Sequence, residues 1–333
     1  MYIVSNYTLA VVLCFITMLC WGSWGNTQKM AGRSWRYELF YWDYVIGILL
    51  FSILLGFTLG SYGEYGRSFV TDLCQIEQSK FWSAFTGGVI FNVSNILLAA
   101  SVSLAGLAVA FPVGVGIAMV LGVIINYIAV PKGDPVTLFL GVGLVAFAII
   151  VNGIAAGKVP HEGTKTGVKG LVLAVIAGIL MSLFYRFVAA AVDFENLEAP
   201  AAGFATPYTA FFIFALGIFA SNFIVNTVVM KKPFVGMPVS YKEYFNGRMK
   251  WHLVGILGGV VWALGTALSY IAAGKAGAAI SYALGQGAPM IAALWGVFIW
   301  KEFRGAKKGA NLLLALMFIC FIVGLAFVVL AGE

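Results

Sequence analysis

Asn92 and Asn95 stand three residues apart in a stretch, Phe81 to Pro131, that holds no charged side chain. At helical spacing they share one face with Gly88 and Ala99. Trp262, Thr266 and Tyr270 share a face with Gly259 in the same way, as do Thr17, Trp21, Trp24 and Gln28. Tyr282, Gln286 and Pro289 form a fourth stripe, and Asn222 with Asn226 a fifth. The chemistry open to such sets is binding. Aromatic faces stack on flat heterocycles or on the C–H face of a sugar, while amides and hydroxyls fix orientation through hydrogen bonds. A membrane-embedded enzyme would need a nucleophile triad, a metal cluster or a carboxylate pair, and these stretches hold none. Two plainer roles compete. Asn and Thr join helices in lipid at about 0.6 kcal/mol each, and Trp21 and Trp24 suit an interfacial belt.

Ionised side chains inside these stretches are scarce. Arg186 interrupts an otherwise uncharged run over 170–192. It lies roughly 24 Å along that helix, and an arginine at mid-bilayer costs roughly 2.5–3.5 kcal/mol. Either it snorkels outward or pairs with Asp193, or it contacts an anion or carbonyl at the outer mouth. Asp43 is the one carboxylate near a span's interior. It suits either an interfacial pair with Arg36 or Lys29 or a proton-coupling role in a cavity that dries on closure. Glu302, two residues after Trp300, reads as a loop anchor. Pro112 and Pro289 kink their helices or free carbonyls that could hold Na⁺. The solute-binding candidates are therefore Trp21, Trp24, Asn92, Asn95, Trp262, Thr266, Tyr270, Tyr282 and Gln286. The coupling or gating candidates are Asp43, Arg186, Asn222, Pro112 and Pro289.

The elements that position these residues follow from composition. Of 333 residues, 62% are apolar and 10% charged. Soluble domains run near 25% charged, so this chain cannot cover a water-exposed surface. The same figures exclude disorder. Two histidines and four unpatterned cysteines give neither a metal site nor a disulfide framework, and no cofactor is implied. The start MYIVSNY lacks a positive n-region, so no cleavable signal peptide is evident.

A spanning helix takes roughly 20 apolar residues. Uncharged runs cover 4–25, 44–63, 81–131, 136–156, 170–192, 205–230, 252–273, 277–300 and 310–331, with Arg186 the sole interruption. The third is too long for one crossing and divides at Gly106, giving an all-α integral membrane protein of ten transmembrane helices. Alternation of the kind a barrel lumen needs is missing. Loops on the amino-terminal side hold four Lys or Arg (Arg67, Lys80, Lys132, Lys275), and those on the opposite side hold fifteen. The positive-inside rule then puts both termini outside an inner (plasma) membrane. The net charge of +7 is thus topology information and not a nucleic-acid surface.

The two halves repeat. At an offset of 171, Gly87, Gly88, Gly106, Gly114 and Gly116 meet Gly258, Gly259, Gly277, Gly285 and Gly287. The loops 61–80 and 231–250 match in length. Five helices per half is odd, so the second half is inverted, as in secondary transporters with a solute at the midplane. The expected division is a first five-helix repeat over 1–157, a short cytosolic connector over 158–166 and a second repeat over 167–333.

The opening MYIV, the WGSWG ending of the first span, the RSWRYELFYWDY leading into the second and the GG…N…A…S…G…A run of the third and fourth resemble the ureide permease family. That family belongs to the drug/metabolite transporter superfamily, which also holds sugar porters of the same layout. The resemblance implies a 5+5 inverted-repeat transporter and, from the plant members, proton-coupled import of allantoin and related nucleobase compounds. Plant members carry a long central loop with a Walker-A-like element. Here the loop is GKVPHEGTKTGVKG and lacks that element, so no nucleotide binding is implied. The reading is a secondary transporter of a small polar solute, with H⁺ or Na⁺ and the lipid bilayer as further partners. A sugar porter of the same fold and a metabolite or drug exporter are the alternatives. Homodimerisation is left open.

Overall fold

The structure is a computed structural model that describes residues 1–32, 35–159 and 168–333. Arg33 and Lys165, two of the counted bases, and all of the connector beyond Val159 lie outside the described residues. Among those residues the chain is helical, with ten helices long and apolar enough to cross a membrane. The first span is α1 (Tyr7–Ser23) continued by α2 (Gly25–Ala31), and the second is α3 (Tyr37–Phe57). A short α4 (Phe69–Gln75) precedes α5 (Gln78–Ala105) and α6 (Leu107–Ala129). Then come α7 (Pro135–Ala156), α8 (Val168–Ala189) and α9 (Pro207–Lys231). A short α10 (Tyr241–Phe245) precedes α11 (Met249–Ala276). The ninth span joins α12 (Ala278–Gly285), α13 (Ala288–Leu294) and a π-helical turn over Trp295–Ile299. The last is α14 (Ala310–Leu330).

The helix ends follow from local chemistry. Asn6 accepts from the Leu9 amide at 2.8 Å, and Asp134 accepts from that of Thr137 at 2.7 Å with Pro135 opening α7. Gly106 divides the long third run, as its sequence position suggests. It adopts φ 82°, ψ 153°, and Gly277 adopts φ 82°, ψ 151°. Only glycine takes that conformation freely. One residue therefore reverses the chain between α5 and α6, and one between α11 and α12.

Both termini lie on one face of the bundle. The Tyr2 amide donates to Leu59 O at 2.8 Å, and that of Asp134 to Ala331 O at 2.7 Å. On the opposite face the Lys307 amide donates to Lys158 O at 3.0 Å, Arg36 donates to Met237 O, and Lys29 pairs with Glu302. Arg67, Lys80, Lys132 and Lys275 fall in the segments of the first face.

Inside the bundle, glycines set the helix spacing. A Cβ on Gly88 (α5) would lie 2.1 Å from Phe214 O of α9, and one on Gly217 (α9) 2.1 Å from Phe85 O. A second crossing has the same form. A Cβ on Gly259 (α11) would lie 2.0 Å from Tyr44 O of α3, and one on Gly47 (α3) 2.3 Å from Ile256 O. The offset is 170 from Gly47 to Gly217 and 171 from Gly88 to Gly259. A third pair, α7 and α14, meets at Gly141 and Gly324, each against the other's carbonyl. Small residues at such sites let helix backbones approach where no hydrophobic drive exists between helices in lipid.

Gly88→Ala and Gly259→Ala should therefore each destabilise the purified protein by about 1–3 kcal/mol through overpacking. Gly143, with nothing within 4 Å of its absent Cβ, should accept alanine without loss of melting temperature.

Candidate functional site

A cavity of about 130 Å³ lies between α1, α5, α6, α8, α11 and the ninth span. That is room for one small ring, below the roughly 300–1,000 Å³ of drug-sized pockets. Its walls are aromatic. Trp21 and Trp262 stack with centroids 6.3 Å apart at 12°, and Phe91 lies 4.4 Å from Trp262. Phe111, Phe184 and Trp24 complete the ring, with Trp24 braced on Tyr44 at 4.7 Å. The lining residues carry no charge.

Two amides break the apolar wall. Asn95 donates from Nδ2 to the Tyr41 hydroxyl at 3.3 Å. Gln286 sits where the ninth span breaks between α12 and α13, and among the described residues its side chain makes no hydrogen bond to protein. Pro289 follows in the first turn of α13 and has no N–H, so the carbonyls around the break lose a helical partner. Gly285 is part of the same construction, since a Cβ there would meet the Trp21 ring at 2.7 Å.

Six of the sequence candidates meet at this cavity: Trp21, Trp24, Asn95, Trp262, Gln286 and Pro289. Thr266 lies behind the wall. Its hydroxyl accepts from the Trp21 indole at 3.0 Å and donates to Trp262 O at 3.1 Å, so it positions both rings. Asn92 is buried and donates to Ser221 Oγ at 2.9 Å. Tyr270 and Tyr282 join Tyr185 in a buried aromatic layer towards the face with the termini. Asn222 is buried with neither amide atom bonded, and Asn226 donates to Glu38 O at 2.9 Å. Pro112 stays inside a continuous α6 and faces a larger groove of about 910 Å³ between α6, α7 and α8. That groove is apolar and bordered by the exposed Ile150 and Ile154, which marks it as lipid-facing.

Asp43 has partners other than the cations expected for it. Arg36 pairs with Glu38 at 2.5 Å, and Lys29 with Glu302. Asp43 instead faces α11, where Gly255 makes room for it. Its Oδ1 accepts from the Tyr244 hydroxyl at 2.7 Å and meets His252 Nδ1 at 2.8 Å. Its Oδ2 accepts from the Trp35 indole at 3.3 Å. A carboxylate this buried, at 1% exposure, needs such donors. Burial and the Asp43 carboxylate hold the Tyr244 phenol far above its ordinary range, so it stays a donor. His252 and Tyr244 had no signal in the sequence, because each lies about 200 residues from Asp43 and outside any motif. Arg186 likewise makes no ion pair with Asp193, whose Oδ2 accepts from the Ala201 amide at 3.1 Å. It lines a separate vestibule on the face with the termini.

The family model of the ureide permeases matches residues 40–162 and 158–332. The chain belongs to the ureide permease family. Ureide permease 1 of Arabidopsis thaliana is 26% identical over 98% of this chain and 97% of its own length. Ureide permease 5 of the same plant is 26% identical over 100% and 96%. Transmembrane protein 144 homolog B of Dictyostelium discoideum aligns over 45% of this chain at 26% identity. A crystal structure described only as that of a protein shares the fold, with TM-score 0.61 at 18% identity over 97% of this chain and 96% of its own. Members of the ureide permease family are transporters and not enzymes.

The Asp43–His252 contact should show strong coupling. In a double-mutant cycle on melting free energy, Asp43→Asn and His252→Ala should interact by about 1–3 kcal/mol. Additive single effects would mean that the contact carries no energy.

Proposed function

We propose that this permease is a secondary active transporter of a small, neutral, planar solute of the ureide or nucleobase-like class. The observation that carries the reading is the cavity itself. Flat aromatic walls at Trp21, Phe91 and Trp262 suit a ring, and the two amides Asn95 and Gln286 suit the paired donors and acceptors of a ureide edge. An ion would lack a counter-charge there, and burying it would be costly. Two relatives, ureide permease 1 and ureide permease 5, carry names of the same solute class.

The movement we propose is alternating access between two inverted five-helix repeats, 1–157 and 167–333, joined by the connector 158–166. The matched crossings at Gly47–Gly259 and Gly88–Gly217 support it, because repeat-related contacts of this kind let one half rock against the other. Protons are the proposed coupling ion and Asp43 the proposed carrier. It is buried yet bonded to a histidine and a tyrosine from the second half, so its charge bears directly on an inter-repeat contact. The proposed orientation has both termini outside the plasma membrane, and the excess of basic residues on the opposite face supports it.

Two measurements test this. Gln286→Ala should weaken solute binding about 2- to 13-fold, the worth of one neutral hydrogen bond. It should leave the melting temperature of the empty protein unchanged, because Gln286 bonds to no protein group in that state. Lower stability with normal affinity would make it a structural residue.

For coupling, Asp43→Asn in proteoliposomes should abolish uphill accumulation of allantoin while leaving counterflow exchange intact, since exchange needs no net proton release. Unchanged accumulation would remove Asp43 from the mechanism and turn attention to Na⁺ at the carbonyls freed near Pro289.

A further inference from the structure

A second cavity, of about 370 Å³, sits towards the face that carries both termini. Four of the helices that line the central cavity line this one too. Along α6 the lining passes from Ala118 to Asn126, along α8 from Phe184 to Arg186 and Ala189, and along α11 from Trp262 to Ala273. In the ninth span it passes from Gln286 to Ala278. Ala118 to Asn126 is a rise of roughly 12 Å. The aromatic layer of Tyr185, Tyr270 and Tyr282 lies between, tied by bonds from the Tyr185 hydroxyl to Ser269 and Ser281.

The charge of this vestibule is unlike that of the cavity beyond. The face carries few basic residues, yet Lys132 and Lys275 both converge here, beside Arg186, the one arginine within a span. Glu195 is the only acid among the lining residues. Lys132 donates to Gly274 O at 3.0 Å, and burial together with Lys275 lowers its pKa, opposed by Glu195. Among the described residues the Arg186 and Lys275 side chains make no hydrogen bond and no ion pair. Three cations that converge on one recess with a single acid favour an anion between them.

The vestibule also holds a buried acceptor. Asn126 is 1% exposed and donates from Nδ2 to Gly122 O at 2.8 Å. Its Oδ1 is buried and has no partner. An unpartnered acceptor next to unpaired cations describes a ligand with two different ends. The anionic end meets Arg186 and the lysines, and an N–H meets Asn126 Oδ1. That N–H belongs to an uncharged group, because an ammonium would face three cations.

We propose that this vestibule is a second binding site, for a small carboxylate that also bears uncharged N–H donors, a ureido acid. Its carboxylate lies between Arg186, Lys132 and Lys275, and its amide N–H donates to Asn126. The site is distinct from the central cavity, and the proposal does not rest on the solute assigned there.

The test is calorimetric binding to the purified full chain, with allantoin saturating the central cavity, of three probes: N-carbamoylglycine, its neutral amide and acetate. Wild-type protein should bind N-carbamoylglycine at least about 10-fold more tightly than either of the others, the amide lacking the charge and acetate the donors. Arg186→Gln should remove the preference over the amide, and Asn126→Leu the preference over acetate. Lys132→Gln, at an exposed loop position, should reduce acid binding as well, so a misfolded Arg186→Gln would not spare the proposal. Gln286→Leu should leave acid binding intact even if the central cavity takes a different solute from the one assigned. Equal affinity for acid and amide would overturn the site, as would acid binding that survives Arg186→Gln and Lys132→Gln but is lost in Gln286→Leu. Acetate bound as tightly as N-carbamoylglycine would reduce it to a plain anion patch and overturn the assigned ligand class.

Discussion

At Gly88 and at Gly259 a carbonyl of the neighbouring helix occupies the place where a side chain would begin. Lipid gives helices no hydrophobic reason to associate, so close backbone approach supplies the dispersion contact that holds them together. The rest of the interior follows from these two crossings. They hold α5 against α9 and α11 against α3. The stripes that follow along α5 and α11 then turn towards a shared interior, bringing Phe91 and Asn95 opposite Trp262. Larger residues at either crossing would separate the helices and open the cavity walls.

Polar groups are sorted along the bundle by what each can be paired with. In the middle, only neutral amides and indoles reach the cavity, and charge is left out. Towards the face opposite the termini, Asp43 is admitted because Trp35, Tyr244 and His252 supply donors to it. Towards the other face, Arg186 is tolerated in a vestibule wide enough for water. The buried layer of Tyr185, Tyr270 and Tyr282 divides that vestibule from the cavity. The Tyr185 hydroxyl bonds to Ser269 and Ser281, which fixes the position of this layer.

Much of the architecture is legible in the amino-acid sequence. Runs without charge gave ten helices, and Gly106 announced the single-residue reversal because no other residue is at ease at φ 82°. Helical spacing also found Trp21, Asn95, Trp262 and Gln286, since a stripe of polar and aromatic residues in lipid must face inward. It could not separate residues that line the cavity from those that brace it. Thr266 lies on the same stripe as Trp262, yet the Trp21 indole covers it. Nor could it find Asp43's partners, because pairing across some 200 residues depends on which helices the glycines bring together. The walls at Phe91 and Phe184 carry no polar mark and read as ordinary lipid-facing residues.

The position of a bound solute decides whether the central cavity is the transport site. The most direct measurement is an electron-microscopy map of the purified permease with allantoin bound. Ring-shaped density is expected between Trp21, Phe91 and Trp262, within hydrogen-bond distance of Asn95 and Gln286. Density confined to the apolar groove between α6, α7 and α8, with the central cavity empty, would contradict it.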